Sequence, residues 1–510
     1  MGKHDLRAGY SRHAALNEEQ YLQVCEACDH VLLASDSTLE TVAIPWLHVI
    51  REHPSFLKDY EDLFLDLGTT NLKKKWRFRL GQIRQLWKAF RSNGQAWLGK
   101  KAFHKPVDIL LVSHLLNASQ AGNKDDFYFG DLPLRLQQTG HSVVVALIDH
   151  TGNADESLLN RWNSNSVPHI VFSNSLDLRR EWSFQKRLKG ERARLNSCIK
   201  SLPLGLLRRV FSRASVEALS GGTITTIRMH HQMRELVKCV EPKILITTYE
   251  GHAWERMVFA AARNVVSSAL CVGYQHAAIF RLQHGALRNL GREFNPDHLF
   301  ANGLVSRQQI VAAPKLEGMP VTVLGSCRFG FAAHKITNSD TRLTCLVIPE
   351  GIASECNFLF EFSLNCALLL PNMTFIWRMH PIQSFHELAA KNKNLQQLPS
   401  NILISQASLN EDVAGARYAL YRGSTAIVNA VCAGVHPIYL SRCSEMTIDP
   451  LHQIKSVRTT VMDSSEFLKF VQSEVESQSA AENQTELQRY CAKIYSKIDS
   501  SAISALLNYS

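Results

Sequence analysis

Five short stretches place chemically competent side chains where a run of β-forming residues stops and a helix-forming run begins. In KILITTYEGHAWERMVFAAAR that junction holds Glu250 and Gly251. A carboxylate there, with a glycine giving close backbone access, can act as general base toward a hydroxyl; the same residue can also be an acid stabilised at a helix start. His252 and Glu255 are alternative bases nearby. In TFIWRMHPIQ, Pro381 fixes a turn after His380, whose imidazole can donate to a phosphate oxygen, and Arg378 can add positive charge. In ARYALYRGSTAIVNAVCAGVHPIYL a strand runs into Arg422, Gly423, Ser424 and Thr425 and then into small and apolar helix formers. Gly423 lets a ligand approach the backbone, and the amides and two hydroxyls can cradle a phosphate; capping of the helix is the plainer reading. In TCLVIPEGIASECNF, Glu350, followed by Gly351, either faces a donor molecule or caps the next helix. Gln275, His276 and His284 in CVGYQHAAIFRLQHG can contact an acceptor, and His276 can equally be a hydrogen-bonded core residue.

The elements that must position these residues follow from hydrophobic periodicity. Strands are predicted over 107–113, 142–148, 169–173, 243–248, 269–274, 297–302 and 321–326, with helical or polar segments between them. After a polar stretch at 332–342 a second series follows at 344–349, 374–379, 401–405, 418–421 and 437–440. An amphipathic stretch without Gly or Pro at 484–508 reads as a closing helix. The fold class is therefore α/β, with two doubly wound parallel sheets facing a cleft. Ligands of such sheets bind beyond the carboxyl ends of the strands, where the five junctions lie. The predicted divisions are a helical, basic N-terminal extension over 1–105, a first Rossmann-like acceptor domain over 106–335 and a second, nucleotide-sugar domain over 336–510. Residues 14–66 read as helices, with Pro45 starting or kinking one of them.

Composition narrows the function classes. The formal charge of +10 is not spread along the chain. Eleven Lys or Arg and no Asp or Glu lie between Lys73 and Lys105; without them 45 basic residues face 46 acidic ones. No nucleic-acid partner is expected of the near-neutral remainder. The basic stretch interleaves Trp76, Phe78, Leu80, Ile83, Leu86, Trp87, Phe90 and Trp97 with its charges, as in a helix on an anionic membrane surface; a solvated face on a packed helix is the competing reading, and a nucleic-acid arm a third. The basic segment 179–213 reads as a solvated face or as a site for an anionic lipid-linked acceptor. No apolar run reaches the roughly 18 residues needed to span a bilayer, and the N-terminus lacks a secretory signal, so a cytoplasmic location is expected, peripheral at the inner membrane face if the basic helix meets lipid. The twelve cysteines show no metal-site spacing. The lone pair Cys25 and Cys28 reads as core, and no metal site is expected.

Taken in order, Glu250-Gly251 in the first series, His380-Pro381 in the second and Ser424-Thr425 after it resemble the motifs of bacterial sialyltransferases and polysialyltransferases. Similar loops occur in capsule transferases that use CMP-Kdo. This chain has Tyr249 where that family carries a second acid. The resemblance implies a GT-B fold and transfer of an acidic sugar, sialic-acid-like or Kdo, from a CMP donor to a surface glycan or lipid-linked acceptor, with no further cofactor and no metal. Carried over by residue, Glu250 would be the base, His380 the ligand of the CMP phosphate, and Ser424 with Thr425 the phosphate cradle. Arg378, Arg422, Gly423, Glu350 and Gly351 fall on the donor side, and Gly251, His252, Gln275 and His276 on the acceptor side. The rivals are a GT-B transferase using UDP- or GDP-sugars, a CDP-glycerol-type phosphotransferase, and a non-catalytic module of a polysaccharide assembly complex. Many retaining transferases carry a glutamate in the helix after the nucleotide loop, where this chain has Asn429.

Overall fold

Short aliphatic runs, buried on both faces, build two mostly parallel sheets. The computed structural model of the protein describes residues 16–64, 72–123, 125–152, 154–162, 167–330, 343–474 and 480–508. The first sheet comprises β1 (Trp97–Gly99), β2 (Ile109–Leu115), β3 (Val143–Asp149), β4 (His169–Phe172), β5 (Ile244–Thr248), β6 (Leu270–Gln275), β7 (His298–Ala301) and β8 (Val321–Val323), in the order β1-β4-β3-β2-β5-β6-β7-β8. The second comprises β9 (Thr344–Ile348), β10 (Thr374–Trp377), β11 (Ile402–Ile404), β12 (Tyr418–Tyr421), β13 (His436–Leu440) and β14 (Thr459–Val461), in the order β11-β10-β9-β12-β13-β14. All pairings are parallel except that of β1 with β4. Central strands such as β5 and β12 are buried along their whole length, as a sheet covered by helices on both faces requires. This is the GT-B-like pair of Rossmann-like sheets that the sequence leads one to expect, with a helical N-terminal extension.

In each sheet the winding reverses at one place: between β2 and β5 in the first and between β9 and β12 in the second. Loops that leave neighbouring strands at such a point diverge to opposite faces and open a crevice. The loop after β5 carries Glu250, the loop after β9 carries Glu350, and the loop after β12 carries Gly423, Ser424 and Thr425.

The N-terminal extension forms helices Glu18–Leu32, Leu39–Val42, Pro54–Glu61 and Leu72–Arg91, with Pro45 opening a 3-10 turn over Pro45–Leu47. Asn17 caps the first of these helices reciprocally with Gln20. The extension shares a core with helices Leu178–Ser201 and Leu206–Glu217, in which Val24, Cys28, Val31 and Leu47 pack with Leu188 and Val210. Cys25 and Cys28 are unbridged and buried in that core, and burial pushes the Cys25 thiol up to about 12. Asp29 accepts from His284 (2.9 Å), Arg288 (3.2 Å) and Lys315 (2.7 Å), which ties the first helix to the first sheet domain.

The expected closing helix is two helices, Ala480–Cys491 and Ser501–Leu507. The stretch between them returns to the first domain. Ser496 donates its amide to the Asn302 carbonyl (2.9 Å) and accepts from the Ser326 amide (2.9 Å), and Ile498 and Ile503 enter the core around Ile109 and Val145. The domain junction read at 335/336 and the side chains of Lys73, Lys74 and Lys75 lie outside the described residues. Among the described residues no helix is long and apolar enough to cross a membrane.

Candidate functional site

Between the two sheets lies a cavity of about 500 Å³. Its walls include Glu250 and His252 from the first domain, Glu350, Gly351, Arg378, His380, Gly423, Ser424 and Thr425 from the second, and Arg51, Phe280 and Arg328. Most of the residues singled out from the sequence are thus brought together.

Glu250 follows β5 but does not cap the next helix. Glu255, in the first turn of helix Ala253–Arg263, takes that role: its buried carboxylate accepts from the amides of Glu250 (3.0 Å), Gly251 (2.7 Å) and His252 (2.8 Å). Burial pushes the Glu255 carboxyl up to about 7. The Glu250 side chain, relieved of capping, stands half-buried in the cleft with His252 Nε2 3.5 Å away. Burial works to raise its pKa, but the contact with His252 and the nearby charges of His276 and Arg51 outweigh this and bring it down to about 2. The group is ionised at neutral pH. Gly251 has a structural reason of its own. Its φ of +87° suits glycine, and a Cβ there would collide with the Gly285 backbone and sit 2.6 Å from the Ala286 amide.

On the opposite wall, the Ile382 amide donates to His380 Nδ1 (3.4 Å), which leaves the ring proton on Nε2 for a ligand oxygen. Burial, together with the positive charge of Arg328, lowers the His380 pKa, so the ring is a neutral donor. Gly351 makes room for this ring: a Cβ would lie 2.8 Å from Nδ1. Beyond it, Ser424 and Thr425 sit in a turn before helix Ile427–Cys432, which is only six residues long, so the hydroxyls and the turn amides have little helix behind them. Thr425 Oγ1 accepts from Arg328 Nη1 (2.8 Å), and Asn429 Nδ2 donates to the Arg328 carbonyl (3.1 Å).

Several expectations need correction. Arg422 does not reach the cleft; its guanidinium is buried and committed to Glu355 (2.7 Å), Glu445 (2.7 Å) and the Leu440 carbonyl (3.0 Å). Gln275 is buried with its amide on the Ala277 carbonyl (3.2 Å). His276 is packed edge-on against Tyr128 (4.5 Å between ring centroids) and does not line the cavity wall. Arg378 does line it, but is half-neutralised by Asp412 (2.6 Å). Gly423 serves Glu350, whose carboxylate fills the space a Cβ would take. Sequence reading missed Arg51, Arg328, and the cluster of rings beside Glu250. In that cluster His114 bonds His150 (2.9 Å) and Thr248 (3.0 Å) and meets the Trp254 ring edge-on at 5.2 Å. Arg328 follows β8 by five residues, so treating that strand's loop like the others was the available signal.

Glu350 is where the N-terminal extension enters the site. Arg51 Nη2 donates to its Oε2 (3.1 Å) and His53 Nε2 to its Oε1 (3.0 Å), while Ser55 and Ser354 share a hydrogen bond (3.1 Å). The Ser55 amide donates to His53 Nδ1 (3.1 Å), so the proton must be on Nε2. His53, Glu350 and Glu355 come close enough to hold a metal ion; in the structure His53 Nε2 and Arg51 donate to Glu350, and Arg422 donates to Glu355 Oε2. Burial works to raise the Glu350 pKa, but His53 and Arg51 outweigh it and bring it to about 2. The carboxyl is thus depressed below its unfolded value, so its contribution is full above about pH 4.5 and is lost as pH falls toward 2. Chemical denaturation at a series of pH values should show the native protein losing up to about 3 kcal/mol more than Glu350→Gln between about pH 5 and about pH 2.

No family model matches the chain, and no curated protein matches it. Among solved structures, it is similar to an S. aureus MnaA–UDP co-structure, with TM-score 0.45 and 10% identity over 79% of this chain and 95% of the other. It is also similar to the UDP-GlcNAc 2-epimerase from Neisseria meningitidis bound to UDP-GlcNAc (0.43; 12%; 79% and 100%) and to the spinosyn rhamnosyltransferase SpnG complexed with thymidine diphosphate (0.45; 12%; 78% and 99%).

Proposed function

We propose that the protein is a glycosyltransferase that moves a sugar from a nucleotide-sugar donor to an acceptor hydroxyl. The observation that carries this reading is the pairing of an ionised carboxylate free of capping duty, Glu250, with phosphate-competent donors across one cleft: His380 Nε2, Ser424, Thr425 and Arg328. Glu250 takes the proton of the acceptor hydroxyl as that oxygen attacks the anomeric carbon. The bond from that carbon to the donor phosphate oxygen breaks, and the nucleotide leaves with the electron pair. The positive and hydrogen-bonding groups opposite offset the charge that develops on the leaving phosphate. His252 stays beside the carboxylate and orients it. Phe127, exposed on the cavity wall, offers an apolar ring to a glycan.

The donor we favour is a CMP-linked acidic sugar. Arg51 Nη1 is buried without a hydrogen-bond partner among the described residues, and Arg328 brings a second guanidinium to the same cavity. Together they supply positive charge for a sugar carboxylate in addition to a phosphate. The acceptor in this reading is a surface glycan or a lipid-linked precursor.

A thermal-shift panel of CMP, CDP, UDP, GDP and ADP tests the donor, because a ligand of the native state raises the melting temperature by mass action. CMP should stabilise selectively, by about 2.7 kcal/mol at one hundred times its Kd, and His380→Ala should lose most of that gain. Preference for UDP or GDP would replace the CMP donor with a neutral-sugar one. Turnover of CDP-glycerol would move the reaction to phosphotransfer, and no response to any nucleotide would remove the enzymatic reading.

A further inference from the structure

Outside the cleft, two packed helices expose five large apolar side chains between them among the described residues. In helix Leu72–Arg91, Ile83, Trp87 and Phe90 are 65%, 55% and 76% exposed, at spacings of four and three that place them in one stripe. Arg84, Lys88 and Arg91 are exposed along one side of that stripe, while Ala89 is buried. In helix Leu178–Ser201, Leu178 and Trp182 are exposed one turn apart, and Lys186 and Lys189 continue the same side. Ser92 Oγ donates to the Ser175 carbonyl (3.0 Å) and Arg180 Nη1 to the Gly94 carbonyl (3.1 Å), which brings the end of the first helix to the start of the second. The two outer stripes therefore adjoin.

Within the two helices the outward charge has one sign for a structural reason, and the acids beside them, Asp177 and Glu40, are paired with Arg180 and Arg187. The first helix contains no acid. The second contains Glu181 and Glu191, and both point inward: Glu181 is fully buried against Arg228 (2.9 Å) and Glu191 against Arg194 (2.8 Å). The outward residues are left with cations, and each exposed tryptophan has one over its ring: Arg91 at 3.7 Å from Trp87 and Lys189 at 5.6 Å from Trp182. Tryptophan flanked by Lys and Arg is suited to the boundary between lipid headgroups and acyl chains, where the ring needs an apolar bed and a polar edge, and the cations need phosphate.

We propose that the outer faces of helices Leu72–Arg91 and Leu178–Ser201 together dock the protein on an anionic lipid bilayer. The proposal is independent of the reaction in the cleft, since none of these residues lines it. It also assigns to the second helix, whose basic segment reads from the sequence as a solvated face or as a site for an anionic lipid-linked acceptor, contact with the bilayer itself.

The test is co-sedimentation of the full chain with phosphatidylcholine vesicles with and without phosphatidylglycerol, at low and high salt. Binding should require phosphatidylglycerol and fall with salt. Lys186→Ala/Lys189→Ala should weaken it by about 30-fold, and Trp87→Ala/Trp182→Ala should abolish the blue shift of tryptophan fluorescence on vesicle addition. Because all four side chains are exposed, melting temperature and nucleotide response should not change in either variant. Equal binding to both vesicle types, or no loss in either variant, would overturn the proposal. So would a dimer that Trp87→Ala/Trp182→Ala dissociates in the absence of vesicle binding, or duplex DNA that binds to the same four residues in place of vesicles.

Discussion

Replacing Glu250 by Gln should lower kcat by about 100- to 10,000-fold while leaving nucleotide binding intact. The amide keeps the shape of the side chain and its neighbour His252, so the loop after β5 should hold its course. It cannot accept the acceptor's proton, and the attacking oxygen would then have to shed it to water. The helix start should not suffer, because the three amides of residues 250–252 are held by Glu255 and not by Glu250. Steady-state kinetics with the donor found in the nucleotide panel, beside a melting curve, separates the outcomes. A variant with unchanged turnover would show that another group is the base; a variant that fails to melt cooperatively would show that Glu250 is structural.

The largest effect on stability should come from Gly251→Ala, at roughly 3 kcal/mol or more. Two costs combine. A φ of +87° strains any L side chain by about 1–2 kcal/mol, and the new methyl group would overlap the Gly285 backbone, which overpacking data place at another 1–3 kcal/mol. Gly291 supplies the control. Its φ is +85°, but a Cβ there meets nothing within 4 Å, so Gly291→Ala carries the strain alone. Urea denaturation of the two variants should therefore differ by the steric part. Equal losses would mean that the 285 loop yields freely. Gly285 also donates its amide to the Ile50 carbonyl (3.0 Å), so displacement there should reach Arg51 and the cleft as well.

The strands that carry the site were legible because buried parallel strands read as uninterrupted apolar runs. KILITT, TCLVIP and YALY lie at or next to the switch points, and the chemistry follows each of them directly. The two strands that were missed are short and peripheral. β1 lies within the basic stretch and pairs antiparallel at the sheet edge, and β14 has Val461 as its single buried residue. The residues that sequence reading could not supply come from segments with no periodic pattern. Arg51 follows a 3-10 turn in the extension, far in sequence from both sheets, and meets Glu350 across 299 positions. Arg422 was misread because an arginine beside Gly-Ser-Thr fits a phosphate cradle; its partners Glu355 and Glu445 lie 67 and 23 residues away. Gly251 and Gly423 read as access for a ligand, and Gly351 as part of the donor side. At each of them the space is taken by another part of the chain: the Gly285 backbone, the His380 ring and the Glu350 carboxylate.

The return of the C-terminal stretch to the first domain constrains how the cleft can breathe. The chain leaves the first domain after residue 326 and comes back through residues 496–499, and the two passages are hydrogen-bonded side by side at Ser326 and Ser496. A door hung on two adjacent pins swings about the line that joins them and resists torsion about other axes. Opening should accordingly be a bend that parts Arg51 and His53 from Glu350 at the free edge, with those two contacts serving as the catch that holds the leaves together.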